Sequence, residues 1–322
     1  MSVTSFSRRG LLAAGAALAA CAPRGAASAD VLRVATYKGG VHHLLQAAGL
    51  DQTPYKVQWA EFAGGNLITE AIDARAIDIG SMSEIPPVFV AGRPTHLRLV
   101  AVQKGDVNSQ VTLVPKDSPI RTPADLKGKR IGYVRATTAQ YFLVRLLAEQ
   151  GLTLADVSPI ALSPQDGLSA FSQGSLDAWV IYGVQGNLAR SQLGARVLTT
   201  GLGRLSGNYL HAALDEALLD PPRRAAIVDH LQRVRRAYDW ADANPSLWAA
   251  AQSKATGVPV AVYEQQHRER SARTELAPVN EEAIASQQTV ADVFAQIGAI
   301  PAKVDVSKLW TQDLNTDLAP KY

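Results

Sequence analysis

The sequence predicts an α/β fold of two lobes, each of them a mostly parallel sheet flanked by helices. Short apolar runs alternate with segments of helical periodicity along most of the chain, and this alternation is typical of parallel strands joined by crossover helices. Residues 67–79 also resemble residues 168–179, because both contain a helix, a tight turn and an apolar–Asp–apolar strand in that order. Two units of similar design with a ligand cleft between them would produce such a repeat.

Nine segments have the length and the side chains expected of strands, since each is a short run of mainly aliphatic residues bounded by turn residues. The predicted strands are residues 31–37, 57–62, 77–81, 97–102, 111–114, 130–134, 158–162, 178–182 and 197–200. Amphipathic segments at residues 67–74, 141–149 and 167–171 predict helices between these strands.

Beyond Asp215 the pattern changes to long helices. The predicted helices are residues 223–243, 246–256, 260–268 and 280–297. Leu231, Val234, Tyr238 and Ala241 recur at helical spacing there, which predicts a stripe that packs into the core.

The first 29 residues have the layout of an export signal. Residues 7–12 contain a twin-arginine pattern, and the apolar run that follows is too short to cross a bilayer. Residues 18–21 fit a lipobox, in which Cys21 would be lipidated, whereas residues 27–29 fit ordinary cleavage and release of a soluble protein. Either outcome predicts a periplasmic protein, soluble or anchored at Cys21.

Composition excludes several function classes. Cys21 is the only cysteine, so the chain from Asp30 onward has no disulfide and no thiol nucleophile. Arg8, Arg9 and Arg24 account for the net charge of +3, and the remainder is neutral, which argues against nucleic acid or an anionic membrane surface as a partner. Within this sequence we find no metal-ligand spacing and no catalytic constellation, and we expect no cofactor and no enzyme activity.

Three strand-to-helix junctions are rich in Gly, Ser and Thr. They are residues 37–40, 78–87 and 131–140. A strand that leads into a helix N-terminus directs free backbone N–H groups and a partial positive charge at one point. Because open α/β sheets hold ligands at their strand C-termini, these junctions predict a site for a small anionic or polar ligand.

Several segments resemble the substrate-binding proteins of bacterial ABC importers for aliphatic sulfonates, nitrate and taurine, above all the sulfonate-binding branch. The segments are Tyr37-Lys38-Gly39-Gly40, Trp59-Ala60-Glu61-Phe62, Ile85-Pro86-Pro87-Val88-Phe89, Leu113 to Ile120, Ala124 to Lys129, Asp177-Ala178-Trp179 and Ile300 to Asp305. The resemblance runs in order through nearly the whole chain after the signal segment. It implies a type II-like periplasmic binding protein that closes over its ligand and delivers it to a membrane permease.

The alternation and the resemblance together predict the lobe boundaries. Residues 30–112 and 207–322 are expected to form the first lobe, and residues 113–206 the second. Crossings near residues 111–115 and 205–209 would form the hinge between them.

The chain departs from the sulfonate branch at the positions that should contact ligand. The branch has Thr-Gly-Asp where this chain has residues 82–84, Gly-Ser-Ser where it has residues 136–138, and Trp-Asp-Pro where it has residues 182–184. The candidate ligand-binding residues are Tyr37, Lys38, Gly39, Gly40, Met82, Ser83, Glu84, Thr137, Thr138, Gln140 and Tyr182. These differences concern the identity of the ligand, and the predicted role as a binding protein is unchanged.

Some of these candidates have two interpretations. Thr137 and Thr138 either contact an anion or cap the helix that follows, and Ser83 has the same alternatives. Glu84 faces a cationic ligand group, pairs with Lys38, or accepts backbone N–H groups, because a carboxylate repels a sulfonate.

The leading hypothesis is therefore a receptor for a small sulfonate or related sulfur oxyanion that serves an ABC permease. A sulfate ester, a sulfone, an amino-sulfonate or a nitrate-like anion are alternative ligands. An enzyme or a sensory domain on the same fold is the alternative from another class.

Overall fold

The computed structural model describes residues 31–319, so the predicted signal peptide, Cys21 and the last three residues lie outside the described part. In that part, eleven strands form two sheets. The strands are β1 (Val31–Thr36), β2 (Lys56–Glu61), β3 (Ile79–Ser83), β4 (Leu97–Lys104), β5 (Val111–Val114), β6 (Arg130–Tyr133), β7 (Ser158–Ala161), β8 (Ala178–Ile181), β9 (Arg196–Thr200), β10 (Asn208–Leu214) and β11 (Glu275–Ala277).

Helices cover both sheets. They are α1 (Val41–Ala47), α2 (Gly65–Asp73), α3 (Thr138–Ala148), α4 (Pro164–Ser172), α5 (Gly183–Leu193), α6 (Asp215–Leu219), α7 (Pro221–Ala243), α8 (Pro245–Thr256), α9 (Val260–Glu269), α10 (Glu281–Gln296) and α11 (Asn315–Leu318). Short 3-10 helices occupy Pro86–Phe89, Pro123–Leu126, Leu154–Asp156 and Val306–Leu309. None of the helices between residues 31 and 319 has the length and apolar character needed to cross a membrane.

The first sheet has the strand order β11-β4-β10-β3-β1-β2, and the second has β7-β6-β8-β5-β9. The pairs β1–β2, β1–β3, β6–β7 and β6–β8 are parallel, as expected. β10 and β5 each pair antiparallel with both of their neighbours. The two α/β lobes are confirmed, but each sheet is mixed, because strand composition does not reveal the direction in which a chain returns from the other lobe.

All nine predicted strands are present, with ends displaced by two residues at most. Two further strands, β10 and β11, were not predicted. β10 contains Asn208, two alanines and the buried His211, a composition with weak β-propensity. β11 has three residues, which is too short for a periodic signal.

The chain passes between the sheets at residues 105–110 and 201–207. The two crossings are bonded to each other, since the Gly105 N–H donates to the Gly207 carbonyl at 3.0 Å and the Gly201 N–H donates to the Gln110 carbonyl at 2.9 Å. The second crossing overlaps the predicted hinge segment, whereas the first precedes its predicted position, because residues 111–114 are strand β5. The lobe boundaries at residues 112/113 and 206/207 remain a prediction.

The C-terminal helices pack onto the first sheet. Ile227, Leu231 and Val234 of α7 are buried in the same apolar core as Leu32 and Ile79 of that sheet. Burial of such side chains contributes about 1.5–3 kcal/mol each. Helix α7 therefore packs against the first sheet, whereas the assignment of residues 207–322 as a whole to the first lobe remains a prediction.

Candidate functional site

A cavity of about 600 Å³ lies where the parallel strands of both sheets end. Its wall includes residues that follow β1, β2 and β3 in the first lobe and β6 and β8 in the second. Helices α1, α2, α3 and α5 begin at these strand ends. The cavity thus occupies the position that the junction motifs predicted.

Nine of the eleven candidate residues line this cavity. They are Tyr37, Lys38, Gly39, Gly40, Met82, Ser83, Thr137, Thr138 and Tyr182. Glu84 and Gln140 are not part of the wall. The topology brings the nine together from four distant segments, although their contact with a ligand stays a prediction.

Thr137 and Thr138 have different roles in the structure. The Thr137 hydroxyl donates to the Val134 carbonyl at 2.8 Å and accepts the Ala139 N–H at 3.3 Å, so Thr137 is the N-cap of α3. Thr138 borders the cavity and its hydroxyl has no hydrogen-bond partner within residues 31–319. The helix-capping interpretation thus applies to Thr137, whereas contact of Thr138 with a ligand remains a prediction.

The glycines of the first junction are required by close packing. Gly39 has a φ of +69°, and a Cβ there would lie 2.5 Å from Cγ2 of Thr256. A Cβ on Gly40 would lie 2.8 Å from the Thr36 hydroxyl. Both distances are too short for a side chain, so this junction brings its backbone close to the cavity and to α8.

The second junction offers fewer backbone donors than expected. β3 leads into the 3-10 helix Pro86–Phe89, and prolines have no N–H to donate. Ser83 accepts the Ile85 N–H only at 3.5 Å, which is a weak contact. Ser83 and Met82 therefore contribute side chains to the wall, whereas a cluster of free N–H groups is not formed here.

Glu84 points toward a chain crossing. Its carboxylate accepts the Ser206 hydroxyl at 2.5 Å and the Asn208 side-chain amide at 3.2 Å, and burial raises its pKa. These partners are side chains, whereas the sequence had suggested backbone N–H groups, Lys38 or a ligand cation. We assign Glu84 to stabilising the junction between β3 and residues 206–208.

Gln140 supports the loop before α3. Its side-chain carbonyl accepts the Ala136 N–H at 2.7 Å. Ala136 has a φ of +56°, which is the left-handed region, where a residue with a Cβ is strained. The sulfonate branch has Gly at this position, so the departure is accommodated by backbone strain and by the bond to Gln140.

Residues of the C-terminal helices complete the wall and were not predicted. Tyr238 of α7, assigned to a core stripe from its spacing, borders the cavity, and so do residues from α8 and α9. These are Trp248, Gln252, Tyr263 and Gln266. They lie in amphipathic helices without a local motif, so the sequence contained no signal that could have separated them from core residues.

The cavity is lined mainly by uncharged side chains. Of the described residues in its wall, Lys38 and Glu61 carry charge, and both are exposed. Seven carboxamide side chains contribute donors and acceptors, namely Gln103, Gln110, Gln165, Gln185, Asn187, Gln252 and Gln266. A bound anion would therefore be held by neutral donors and helix N-termini.

Five tyrosines also line the cavity, and burial raises the pKa of each one, to about 12 for Tyr182 and Tyr238. They are consequently neutral at physiological pH. Behind them, burial lowers the pKa of His211 to about 3, and its Nε2 lies 3.2 Å from the side-chain oxygen of Gln103. His211 is therefore also neutral, and it places no charge behind the tyrosines of the cavity wall.

Comparison with known proteins agrees with this geometry. A family model described as NMT1/THI5 like matches residues 56–246. An aliphatic sulfonates-binding protein of Escherichia coli K12 is 32% identical over 298 residues, which cover 88% of this chain and 89% of that protein.

Solved structures show the same architecture. The alkanesulfonate-binding protein SsuA of Xanthomonas axonopodis pv. citri, bound to MOPS, has a TM-score of 0.79 and 28% identity over 89% of this chain and 99% of that one. The periplasmic aliphatic sulphonate binding protein SsuA of Escherichia coli has a TM-score of 0.76 and 29% identity over 92% and 96% of the two chains.

Two α/β lobes around a ligand-sized cavity at their strand ends are typical of solute-binding receptors. The chain belongs to the NMT1/THI5-like family of substrate-binding proteins. The resemblance seen in the sequence is thereby confirmed. The desulfurization enzyme DszB shares the fold, with a TM-score of 0.61 and 16% identity over 90% and 99% of the two chains, so the fold alone does not define function.

Proposed function

We propose that this protein is the exported receptor of an ABC importer, and that it captures a small sulfonate or related sulfur oxyanion and delivers it to the permease. The relatives with the same architecture bind sulfonates. The observation that carries the proposal is the cavity at the strand ends, which is lined mainly by uncharged hydrogen-bond donors and bordered by the Thr138 hydroxyl.

The chemistry of a sulfonate suits such a wall. Its oxygens only accept hydrogen bonds, and its single charge is spread over three atoms. Hydroxyls, carboxamide N–H groups and the N-termini of α3 and α5 supply donors and partial positive charge without a fixed cation. Release to a permease is easier from such a site than from a buried ion pair, whose separation costs several kcal/mol.

The twin-arginine segment supports export to the periplasm. Cleavage after Ala29 or lipidation at Cys21 are the two forms that the protein takes there under this proposal. The mass of the exported protein distinguishes the two forms. The lipidated form begins at Cys21 and carries acyl chains, whereas the cleaved form begins after Ala29 and carries none.

An enzyme on the same fold is the competing function. No cysteine or histidine is among the described residues that line the cavity, so a Cys–His or Ser–His pair is not formed within that wall. The binding proteins among the relatives favour a receptor over an enzyme.

Thermal unfolding in the presence of candidate ligands tests the proposal. Ethanesulfonate, taurine, methyl sulfate, nitrate and bicarbonate are compared, because a ligand at 100 times its Kd stabilises a protein by about 2.7 kcal/mol. We expect stabilisation by the sulfonates and none by nitrate or bicarbonate. Stabilisation by nitrate or bicarbonate without any effect of sulfonates or sulfate esters would overturn the proposal.

A further inference from the structure

The cavity keeps its large volume although the two lobes already touch. The side-chain amide of Asn187 on α5 donates to that of Gln266 on α9 at 3.3 Å. The ring of Tyr141 on α3 meets Phe294 on α10 edge-on, with centroids 5.7 Å apart. The volume of about 600 Å³ therefore belongs to a cleft whose lobes are in contact.

This volume is far larger than a two-carbon sulfonate requires. Cavities of roughly 300–1,000 Å³ hold drug-sized ligands. A small alkyl chain would leave most of the wall without contact atoms, and unfilled apolar space forfeits dispersion energy. The cleft therefore has room for a ligand with a bulky organic part.

The wall presents aromatic rings to that organic part. The Tyr37 hydroxyl donates to the Ser81 carbonyl at 2.9 Å, and the Tyr209 hydroxyl donates to the Asp106 carbonyl at 2.8 Å. The Tyr263 hydroxyl bonds to that of Thr256 at 2.8 Å. Because these hydroxyls are engaged by the protein, the side chains offer mainly ring carbon to a ligand.

Trp248 and Phe62 add two further rings to the wall. Trp248 packs edge-on against Tyr263, with centroids 5.7 Å apart and an interplanar angle of 80°. Rings held in this way favour another aromatic ring in offset or edge-to-face geometry over a saturated group of equal size.

We infer that the organic part of the ligand is an aromatic ring system, so that the protein is a receptor for aryl sulfonates. This inference rests on the proposed function. The sulfonate group would lie at the strand ends beside Thr138, and the ring would lie among the tyrosines and Trp248.

Calorimetric titration of the protein with five sulfonates tests the inference. The ligands are ethanesulfonate, hexanesulfonate, cyclohexanesulfonate, benzenesulfonate and 2-naphthalenesulfonate. We expect 2-naphthalenesulfonate to bind at least tenfold more tightly than ethanesulfonate, and benzenesulfonate at least threefold more tightly than cyclohexanesulfonate. Equal or tighter binding of ethanesulfonate or cyclohexanesulfonate would overturn the inference and leave the proposed function standing. Absence of binding by all five would overturn both.

A matched pair of variants locates the ring contact. Trp248→Leu is expected to weaken 2-naphthalenesulfonate at least tenfold and ethanesulfonate less than threefold. Trp240→Leu is the control, because Trp240 is also partly buried but lies outside the cavity wall, and it should change neither affinity more than twofold. An equal loss of affinity for both ligands in Trp248→Leu would contradict the placement of the aromatic ring beside Trp248. If this variant does not fold, the titrations of the unmodified protein still test the inference.

Discussion

Asp78 holds Arg33 in a two-pronged ion pair, with distances of 2.6 Å from Nη2 to Oδ1 and 3.1 Å from Nε to Oδ2, and Oδ2 also accepts the Arg33 backbone N–H at 2.8 Å. Asp177 and Arg130 repeat these three contacts in the second lobe at 2.8, 3.1 and 2.8 Å. Each pair links β1 to β3 or β6 to β8. The internal sequence repeat therefore corresponds to a repeated structural unit.

The two pairs differ in burial, and their removal should differ in cost. The Asp78 side chain is 1% exposed and that of Asp177 is 31% exposed. We expect Asp78→Asn to lower the free energy of unfolding by about 2–3 kcal/mol, because the buried Asp78 carboxylate loses its charge-assisted hydrogen bonds to Arg33. Asp177→Asn should cost about 1 kcal/mol. Urea unfolding measures the stability of both variants. Equal losses in the free energy of unfolding would show that burial does not determine how much each ion pair contributes.

The strained loop before α3 gives a stabilising substitution. Ala136 has a φ of +56°, and glycine adopts this region without the penalty of a Cβ. Ala136→Gly is expected to raise the free energy of unfolding by about 1 kcal/mol. Ala148→Gly, at the exposed end of α3, is the control and should lower it by about 0.5–1 kcal/mol. Destabilisation by Ala136→Gly would mean that the loop is not strained.

Substitution of Thr137 should affect stability, whereas substitution of Thr138 should affect ligand binding. Thr137→Ala removes the helix cap and is expected to lower the free energy of unfolding by about 1 kcal/mol. Thr138→Ala is expected to weaken sulfonate binding by about 1–3 kcal/mol, because a hydrogen bond to a charged group is lost, with little change in stability. Thr138→Ser retains the hydroxyl and should restore most of the affinity. Calorimetry with unchanged affinity in Thr138→Ala would limit this residue to a structural role.

Glu84 should influence stability through pH. Burial raises its pKa above the ordinary value of 4.5, so the unfolded chain releases this proton at lower pH than the folded chain does. Its contribution to the free energy of unfolding is fully present below pH 4.5 and is lost as pH rises through the raised pKa. Glu84→Gln has no proton to release, so its stability relative to the unmodified protein should increase as pH rises above 4.5.

Two measurements check this assignment. Urea unfolding across pH is compared between the unmodified protein and Glu84→Gln, and a stability difference that does not change with pH would contradict the prediction. Affinities for taurine and ethanesulfonate should change by the same factor in Glu84→Gln. A selective loss of taurine would place the carboxylate against a ligand amine and refute the structural role.

The sequence predicted most of the fold because the parallel units have strong local patterns. β1 and β8 are largely apolar runs with a glycine within three residues of their ends, and these residue types favour a strand followed by a turn by local sterics alone. β10 could not be predicted in this way. Its residues are stabilised in the sheet by pairing with β3 and β4, which are more than a hundred residues earlier in the chain.

The site was predicted in part for the same reason. Residues 37–40 and 137–138 belong to junction motifs, so local sequence located them. Trp248 and Tyr263 reach the cavity only because α8 and α9 fold back over it, and their helices look like ordinary amphipathic segments. Glu84 lies within the junction motif of residues 78–87, but its carboxylate bonds to Ser206, which is 122 residues away along the chain and which local sequence could not reveal.

A crystal structure of the protein with bound ethanesulfonate tests the central claim most directly. We expect a sulfonate oxygen within hydrogen-bond distance of the Thr138 hydroxyl, about 2.5–3.0 Å, and the remaining oxygens to meet neutral donors of the cavity wall. The carboxylate of Glu84 should keep its bonds to Ser206 and Asn208. A sulfonate bound outside this cavity, or held there chiefly by Lys38, would contradict the account.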